Sequence, residues 1–216
     1  MESTTDKLLL INKPLGWTSF DVVNKLRYKL KIKKIGHAGT LDPLATGLLI
    51  VCSGKLTKRI DEFQAQEKEY IGTFVLGQTT PSYDLETPVS EPSDISFITD
   101  DQVRAVAEKF KGAIQQIPPK HSAIRIKGKR AYELARKGKD PELKPREVFI
   151  SEFEITGIAK PHVTFRVVCS KGTYIRSLAR DFGEALGTVS YLSALCRTRI
   201  GQFKLSDAVS IDQVPD

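Results

Sequence analysis

The sequence predicts an α+β fold. Strand-like apolar runs and helix-like segments with recognisable caps are mixed along the 216 residues, and no internal repeat or low-complexity tract interrupts them. Leu8 to Ile11 reads as a strand, after which Thr18 or Ser19 caps a helix to about Lys29. The run Leu48-Leu49-Ile50-Val51-Cys52 reads as a buried strand and gives way at Gly54 to a helix near Lys55 to Phe63. Tyr70 to Leu76 alternates as a strand, and Thr99-Asp100-Asp101-Gln102 has the form of a capping box opening a helix to about Phe110. Glycine, proline and basic residues from Pro118 to Arg146 indicate a long excursion with a short helix around Arg130 to Arg136. Val148 to Ile155 and Val163 to Val168 read as strands, Tyr174 to Leu186 as a helix ended by Gly187, and a last strand lies near Thr198 to Leu205.

Composition sets the class. A chain with 40% hydrophobic and 27% charged residues has ordinary globular usage and buries a core as one domain, with or without subdomains. No apolar run reaches the length of a membrane span, and Met1 to Asp6 lacks a signal peptide's basic start and apolar stretch, so a soluble, cytoplasmic protein is expected. Cys52, Cys169 and Cys196 are odd in number and far apart, which favours core thiols over disulfides. With His37, His121 and His162 as the only histidines and no C-x-x-C or H-x-x-H pairing, no metal site is expected.

The net charge of +7 has a location. Lys120 to Arg146 holds ten cations against three acids, and the rest of the chain balances at 23 of each. A surface that neutralises phosphates has this footprint, although a charge run by itself also fits a solvated face. A second cluster, Lys25, Arg27, Lys29, Lys31, Lys33 and Lys34, precedes a segment rich in small and turn-forming residues.

That segment is Gly36-His37-Ala38-Gly39-Thr40-Leu41-Asp42-Pro43-Leu44-Ala45-Thr46-Gly47. Its glycines permit close backbone approach, and Pro43 biases Asp42 away from helical backbone, so the loop presents a single carboxylate at the start of a buried strand. A lone Asp-Pro is an ordinary turn; the twelve-residue string is far more specific. It resembles the catalytic motif of the TruB-type tRNA pseudouridine synthases. Leu9-Leu10-Ile11-Asn12-Lys13-Pro14-Leu15-Gly16-Trp17-Thr18-Ser19 is similar to that family's opening motif, and Lys68-Glu69-Tyr70 to its second catalytic segment. Pro118 to Ala123, Gly128 to Gly138 and Ser170 to Leu178 follow in the family's order, so the resemblance spans nearly the whole chain.

The resemblance implies a mixed or antiparallel sheet with flanking helices and a central RNA-binding cleft, in one catalytic domain over residues 1–216. The basic excursion at about 118–148 is similar to the segment that closes over RNA in this family. The implied reaction converts a uridine in the T-loop of tRNA to pseudouridine: the target base leaves the stack, the N-glycosidic bond breaks, and C5 of the turned uracil joins the same sugar carbon. With no net redox change, no cofactor is required. Asp42 is implied to act as nucleophile or base, and the sequence leaves open whether it attacks the base, attacks the sugar or removes a sugar proton.

Other residues take implied roles. Tyr70, by periodicity a core tyrosine facing the same way as Phe74 and Leu76, would pack on the target base and exchange a proton. Arg176 falls off the apolar stripe of Ile175, Leu178, Ala179, Phe182 and Leu186, which by pattern alone makes it an outward-reaching surface cation; by resemblance it orients the catalytic aspartate. Leu195 would pack in the active site or serve as plain core, and His37 would contact RNA or make a turn. Lys13 with Pro14 would support the cleft floor, and Lys127, Lys129 and Arg130 would bind phosphates. The tRNA T-stem-loop is the expected partner, with a monomer, no obligate protein partner and no membrane.

Some positions depart from the family pattern. Pro81, Ser82 and Thr87 flank Asp84 where other residues are more frequent, His121 replaces an aromatic, Cys196 replaces an arginine, and no C-terminal RNA-binding PUA domain is evident before Asp216. Gly54-Lys55-Leu56-Thr57 lacks the spacing and hydroxyl of a P-loop. A non-catalytic RNA-binding module would account for the charge without requiring Asp42, Tyr70 and Arg176 together, and a different nucleic-acid-modifying enzyme would need a cofactor or metal motif.

Overall fold

The computed structural model describes residues 6–120, 122, 125–126, 129–130 and 143–215. Two compact units make up the chain: residues 1–71 with 194–216, and residues 72–193. The strands β4 (Lys68–Leu76) and β10 (Ser190–Ile200) each belong partly to both.

The first unit is built around β3 (Ala45–Ser53). Antiparallel β1 (Leu8–Lys13) pairs with it from Cys52 to Gly47, and antiparallel β2 (Ile35–Ala38) pairs with Ser53 to Ile50. At Ala45 to Gly47 the partner is instead parallel β10, through Leu195 to Arg197. Because β1 occupies one edge, β2 and β10 share the other, and residues 39–44 leave the sheet where that edge changes partner. This is how topology sets the Asp42 loop apart from the ladder.

The apolar run of β3 is explained by burial on both faces. Leu49 and Val51 pack with Ile11, Ile35 and the Val22, Val23 and Leu26 stripe of α1 (Ser19–Leu30). Leu48, Ile50 and Cys52 face the other way, onto Phe63 of α2 (Ile60–Ala65) and Ile200. Thr18 is the cap of α1, in a reciprocal capping box with Asp21. The helix expected from Lys55 begins as a 3-10 turn, Gly54–Arg59, without a side-chain cap at Ser53, and only Ile60–Ala65 is α-helical. The last expected strand is also corrected: β10 starts at Ser190, Gly201 turns the chain, and β11 is only Phe203–Lys204.

In the second unit α3 (Asp100–Lys109) opens with the Thr99 capping box, followed by β5 (Gly112–Gln116). Two-residue strands β6 (Arg125–Ile126) and β7 (Lys129–Arg130) pair with each other. Arg130 is therefore strand, and the rest of the short helix expected to Arg136 lies outside the described residues. Antiparallel β8 (Arg146–Ala159) pairs with β5 and with β9 (His162–Cys169). The order in this unit is β4-β9-β8-β5, and α4 (Ile175–Ala185) packs its Phe182 among Phe74, Phe110 and Phe153. Phe74 also stacks on Phe165 with centroids 4.1 Å apart. The sheet is mixed: the β3–β10 pairing is parallel, and the β1–β3, β2–β3, β5–β8 and β8–β9 pairings are antiparallel.

Candidate active site

Asp42 is half-buried, and the backbone around it is fixed by side chains from three elements. From the start of α1, the fully buried Ser19 hydroxyl accepts from the Leu41 N–H at 2.8 Å and donates to the Leu41 carbonyl at 3.1 Å. From the end of β1, the Lys13 ammonium donates to the carbonyl oxygens of Pro14 (2.9 Å), Trp17 (2.5 Å) and Pro43 (3.3 Å). The Gly16 N–H donates to the same Pro43 oxygen at 2.9 Å, and Asp42's own carbonyl accepts from Ala45 N–H at 3.0 Å. Both neighbours of Asp42 in the chain are thus tied down. The Asp42 backbone cannot shift without breaking these hydrogen bonds, so the point from which the carboxylate projects is fixed.

Arg197 supplies the third anchor. It is 1% exposed and donates from Nε to the Leu48 carbonyl (2.8 Å) and from Nη2 to the Gly39 carbonyl (3.0 Å), so it joins the loop's entry to the strand at its exit. Gly47 stands between the two cations in register, opposite Lys13 on one side and Arg197 on the other. Its φ of +100° and the space around it both require glycine: a Cβ there would lie 2.3 Å from the Arg197 carbonyl oxygen.

Two buried cations near one carboxylate shape the electrostatics. Burial pushes Lys13 down to about 8; the Arg197 charge pushes the same way, while Asp42 and Asp21 pull it back up. His37, on β2, is held below the ordinary histidine range by burial and by Arg197, against an opposing contribution from the Gly39 backbone. Its Nδ1 is buried without a hydrogen-bond partner. The imidazole is therefore neutral near pH 7.

Leu195 lies opposite Ala45 in the parallel pairing, three residues beyond Asp42, and is half-buried. Tyr70 is 9% exposed on β4. Its strand lies beside the one carrying Arg197, because Gly201 N–H donates to the Glu67 carbonyl at 2.9 Å and Thr198 Oγ1 to the Glu69 carboxylate at 2.7 Å. Lys13, His37, Asp42, Tyr70 and Leu195 all belong to the first unit.

Arg176 belongs to the second unit, and there the sequence pattern misleads. Instead of reaching outward it is 4% exposed, with Nε 3.5 Å from the Asp84 carboxylate and Nη1 donating to the Ser82 carbonyl at 3.3 Å. Asp84 is itself 5% exposed, accepts from the Glu86 N–H at 3.0 Å, and its backbone carbonyl takes the Thr80 hydroxyl at 2.6 Å. A charged side chain off the apolar stripe of a helix is buried here because a second charged residue awaits it. Lys127 lies outside the described residues, and Lys129 and Arg130 are described only by the backbone pairing of β7.

Ser19 and Arg197 carry the loop geometry and were not singled out by sequence. Ser19 is indistinguishable from a helix cap in the string Thr18-Ser19, and Arg197 is one cation in a basic strand. Only their burial sets them apart.

The chain as a whole is similar to known proteins. Residues 27–175 match the family model described as TruB family pseudouridylate synthase, N-terminal domain. The tRNA pseudouridine synthase B of Parabacteroides distasonis is 55% identical over 222 aligned residues, covering 100% of this chain and 94% of its own. That of Flavobacterium johnsoniae is 53% identical, covering 95% and 93%. Among solved structures, a chain of a Cbf5–Nop10–Gar1 complex superposes with a TM-score of 0.74 at 30% identity, over 95% of this chain. A chain of an H/ACA RNP bound to a substrate RNA containing 2'-deoxyuridine gives 0.71 at 29% identity, again over 95% of this chain. This chain spans about half the length of those two solved chains. The fold is that of a pseudouridylate synthase. Within that class, the chain belongs to the TruB family.

Proposed function

We propose that this protein is a tRNA pseudouridine synthase that isomerises the uridine at position 55 in the T-loop of tRNA. The observation that carries the reading is the Asp42 loop, in which Ser19, Lys13 and Arg197 fix the backbone on either side of a single half-buried carboxylate. Relatives named tRNA pseudouridine synthase B that align with all but a few per cent of the chain supply the substrate.

The reaction requires the target uridine to be flipped from the stack, at a cost of about a few kcal/mol offset by phosphate contacts and a fitted pocket. The bond from the sugar C1' to uracil N1 breaks, the bond from C1' to C5 forms, the proton leaves C5, and N1 takes up a proton. Asp42 starts the sequence as nucleophile or base, and its fixed backbone supplies the orientation that makes one carboxylate sufficient. Tyr70 packs on the flipped base and handles a proton. Arg176 is the orienting cation of the catalytic step, pre-set in its own unit by Asp84 and Ser82. His37 is a neutral contact to RNA, Leu195 packs in the site, Lys13 supports the loop from below, and the segment from Lys120 to Arg146, with Lys127, Lys129 and Arg130, binds phosphates. The protein acts in the cytoplasm, as a monomer and without a protein partner or cofactor.

Incubation of the protein with unmodified tRNA, followed by pseudouridine mapping, tests this reading. A single modified position at 55 is expected. Modification elsewhere, with position 55 untouched, would overturn the substrate assignment.

A further inference from the structure

Beside the Asp42 loop, the chain from Pro14 to Thr18 is exposed without interruption, and Phe20 continues that surface onto the first turn of α1. Leu15 is 64% exposed, Trp17 36%, Phe20 60% and Leu44, two residues beyond Asp42, 36%. Large apolar side chains left in water at one place ordinarily mark a contact surface. This surface is not on a loose loop. The Trp17 and Pro43 carbonyls bind the same Lys13 ammonium, Gly16 N–H donates to Pro43, and Ser19 holds both polar groups of the Leu41 backbone.

We infer that Trp17 and Phe20 form a stacking platform for unpaired bases of the RNA that brings its target uridine to Asp42. The inference rests on the proposed RNA-modifying function and adds a base-binding subsite to it. Charge selects RNA as the occupant. The same helix and the turn after it carry exposed Lys25, Lys31, Lys33 and Lys34, and Tyr28, 81% exposed, stands among them. The one acidic side chain in the first turn, Asp21, is engaged by the Thr18 N–H (2.9 Å) and hydroxyl (2.6 Å). Exposed aromatics interleaved with cations suit a polyanion with free π faces, and bases splayed from a loop stack on such side chains without regard to sequence. A second copy of the chain would bring like charges together.

Trp17 is the only tryptophan of the chain, so its emission reports on this surface alone. Wild-type protein is titrated with an unmodified T-stem-loop RNA while Trp17 fluorescence and, separately, the anisotropy of end-labelled RNA are followed. The expected result is a change of emission whose midpoint coincides with the anisotropy midpoint. Trp17→Leu, which keeps apolar bulk without an extended π face, should weaken binding about tenfold; Trp17→Phe should weaken it less, and Phe20→Ala by several-fold. Phe20 is too exposed for its loss to unfold the protein. Unchanged emission at saturating RNA, or Trp17→Leu binding as tightly as the wild type, would overturn the platform while leaving the modification activity standing. Emission that shifts with protein concentration in the absence of RNA would assign the surface to a second copy and overturn it equally. No RNA binding by either readout would sink the RNA-modifying reading and the platform with it.

Discussion

Arg197 holds the carbonyl oxygen of Gly39 at 3.0 Å, reaching from β10, the parallel neighbour of β3, to the residue at which the Asp42 loop begins. The same guanidinium takes the Leu48 carbonyl, so a single side chain closes the base of the loop that carries Asp42. Replacing it by Met should leave both buried carbonyls without that donor and cost about 2–4 kcal/mol of stability. As a positioning residue it should also show in kinetics: Arg197→Met should lower kcat at least tenfold with a smaller change in tRNA affinity. Denaturant titration and single-turnover rates at saturating tRNA check this together; an equal loss in affinity and rate would assign Arg197 to RNA contact.

Gly47 and Gly16 provide a controlled pair. Both have positive φ, +100° and +81°, but a Cβ on Gly47 meets the Arg197 backbone whereas one on Gly16 meets nothing within 4 Å. Gly16→Ala should cost only the conformational penalty, about 1–2 kcal/mol. Gly47→Ala should cost well over about 3 kcal/mol or yield no folded protein, since the β3–β10 pairing must open. Urea midpoints of the two variants give the comparison.

Lys13 makes stability depend on pH in a defined direction. Burial lowers its pKa from 10.5 to about 8, so the unfolded chain holds the proton more tightly than the folded one. Below that folded value the full cost of burying the ammonium is present, and it disappears as pH rises from the folded toward the unfolded pKa. Relative to Lys13→Met, the wild type should therefore gain about 2 kcal/mol between pH of about 7.5 and 10. Parallel unfolding curves of both proteins across that range measure it. A flat difference would mean that folded Lys13 keeps its proton as firmly as the unfolded chain does, with no lowering of its pKa by burial.

Asp84 and Arg176 are buried together at 3.5 Å. Removing one partner leaves the other's charge in a dry site, so Asp84→Ala should cost about 3 kcal/mol or more, and Arg176→Met with Asp84→Ala less than the sum of the two single changes. A double-mutant cycle in urea tests the coupling. Arg176→Lys should lose most of the activity, since a point charge does not replace a guanidinium's fixed fork.

What the sequence made legible is local. The capping boxes at Thr18 and Thr99 lie within four residues each, and the run from Leu48 to Cys52 is apolar enough to announce burial on both faces. The Asp42 loop was found by its turn-forming residues and by family resemblance. What escaped depends on distant partners. β5 reads Gly-Ala-Ile-Gln-Gln, with no strand pattern of its own, and exists through its ladder to β8. β2 is four residues long and is likewise held by β3. Ser19, Arg197 and the burial of Arg176 were invisible for the same reason: each has polar partners far away in sequence, 22, 158 and 94 residues distant. A polar side chain announces a partner only once the fold has supplied it.

Asp42, its backbone fixed by its neighbours, starts the isomerisation in the proposed reaction. Asp42→Asn keeps the side chain's shape and removes its capacity as nucleophile or base. The deciding measurement is single-turnover pseudouridine formation at position 55 by this variant and the wild type, with tRNA affinity determined in parallel. Asp42→Asn should give no detectable pseudouridine while binding tRNA within a few-fold of wild type. Turnover within about tenfold of wild type would contradict that role, because loss of an essential nucleophile or base costs several orders of magnitude.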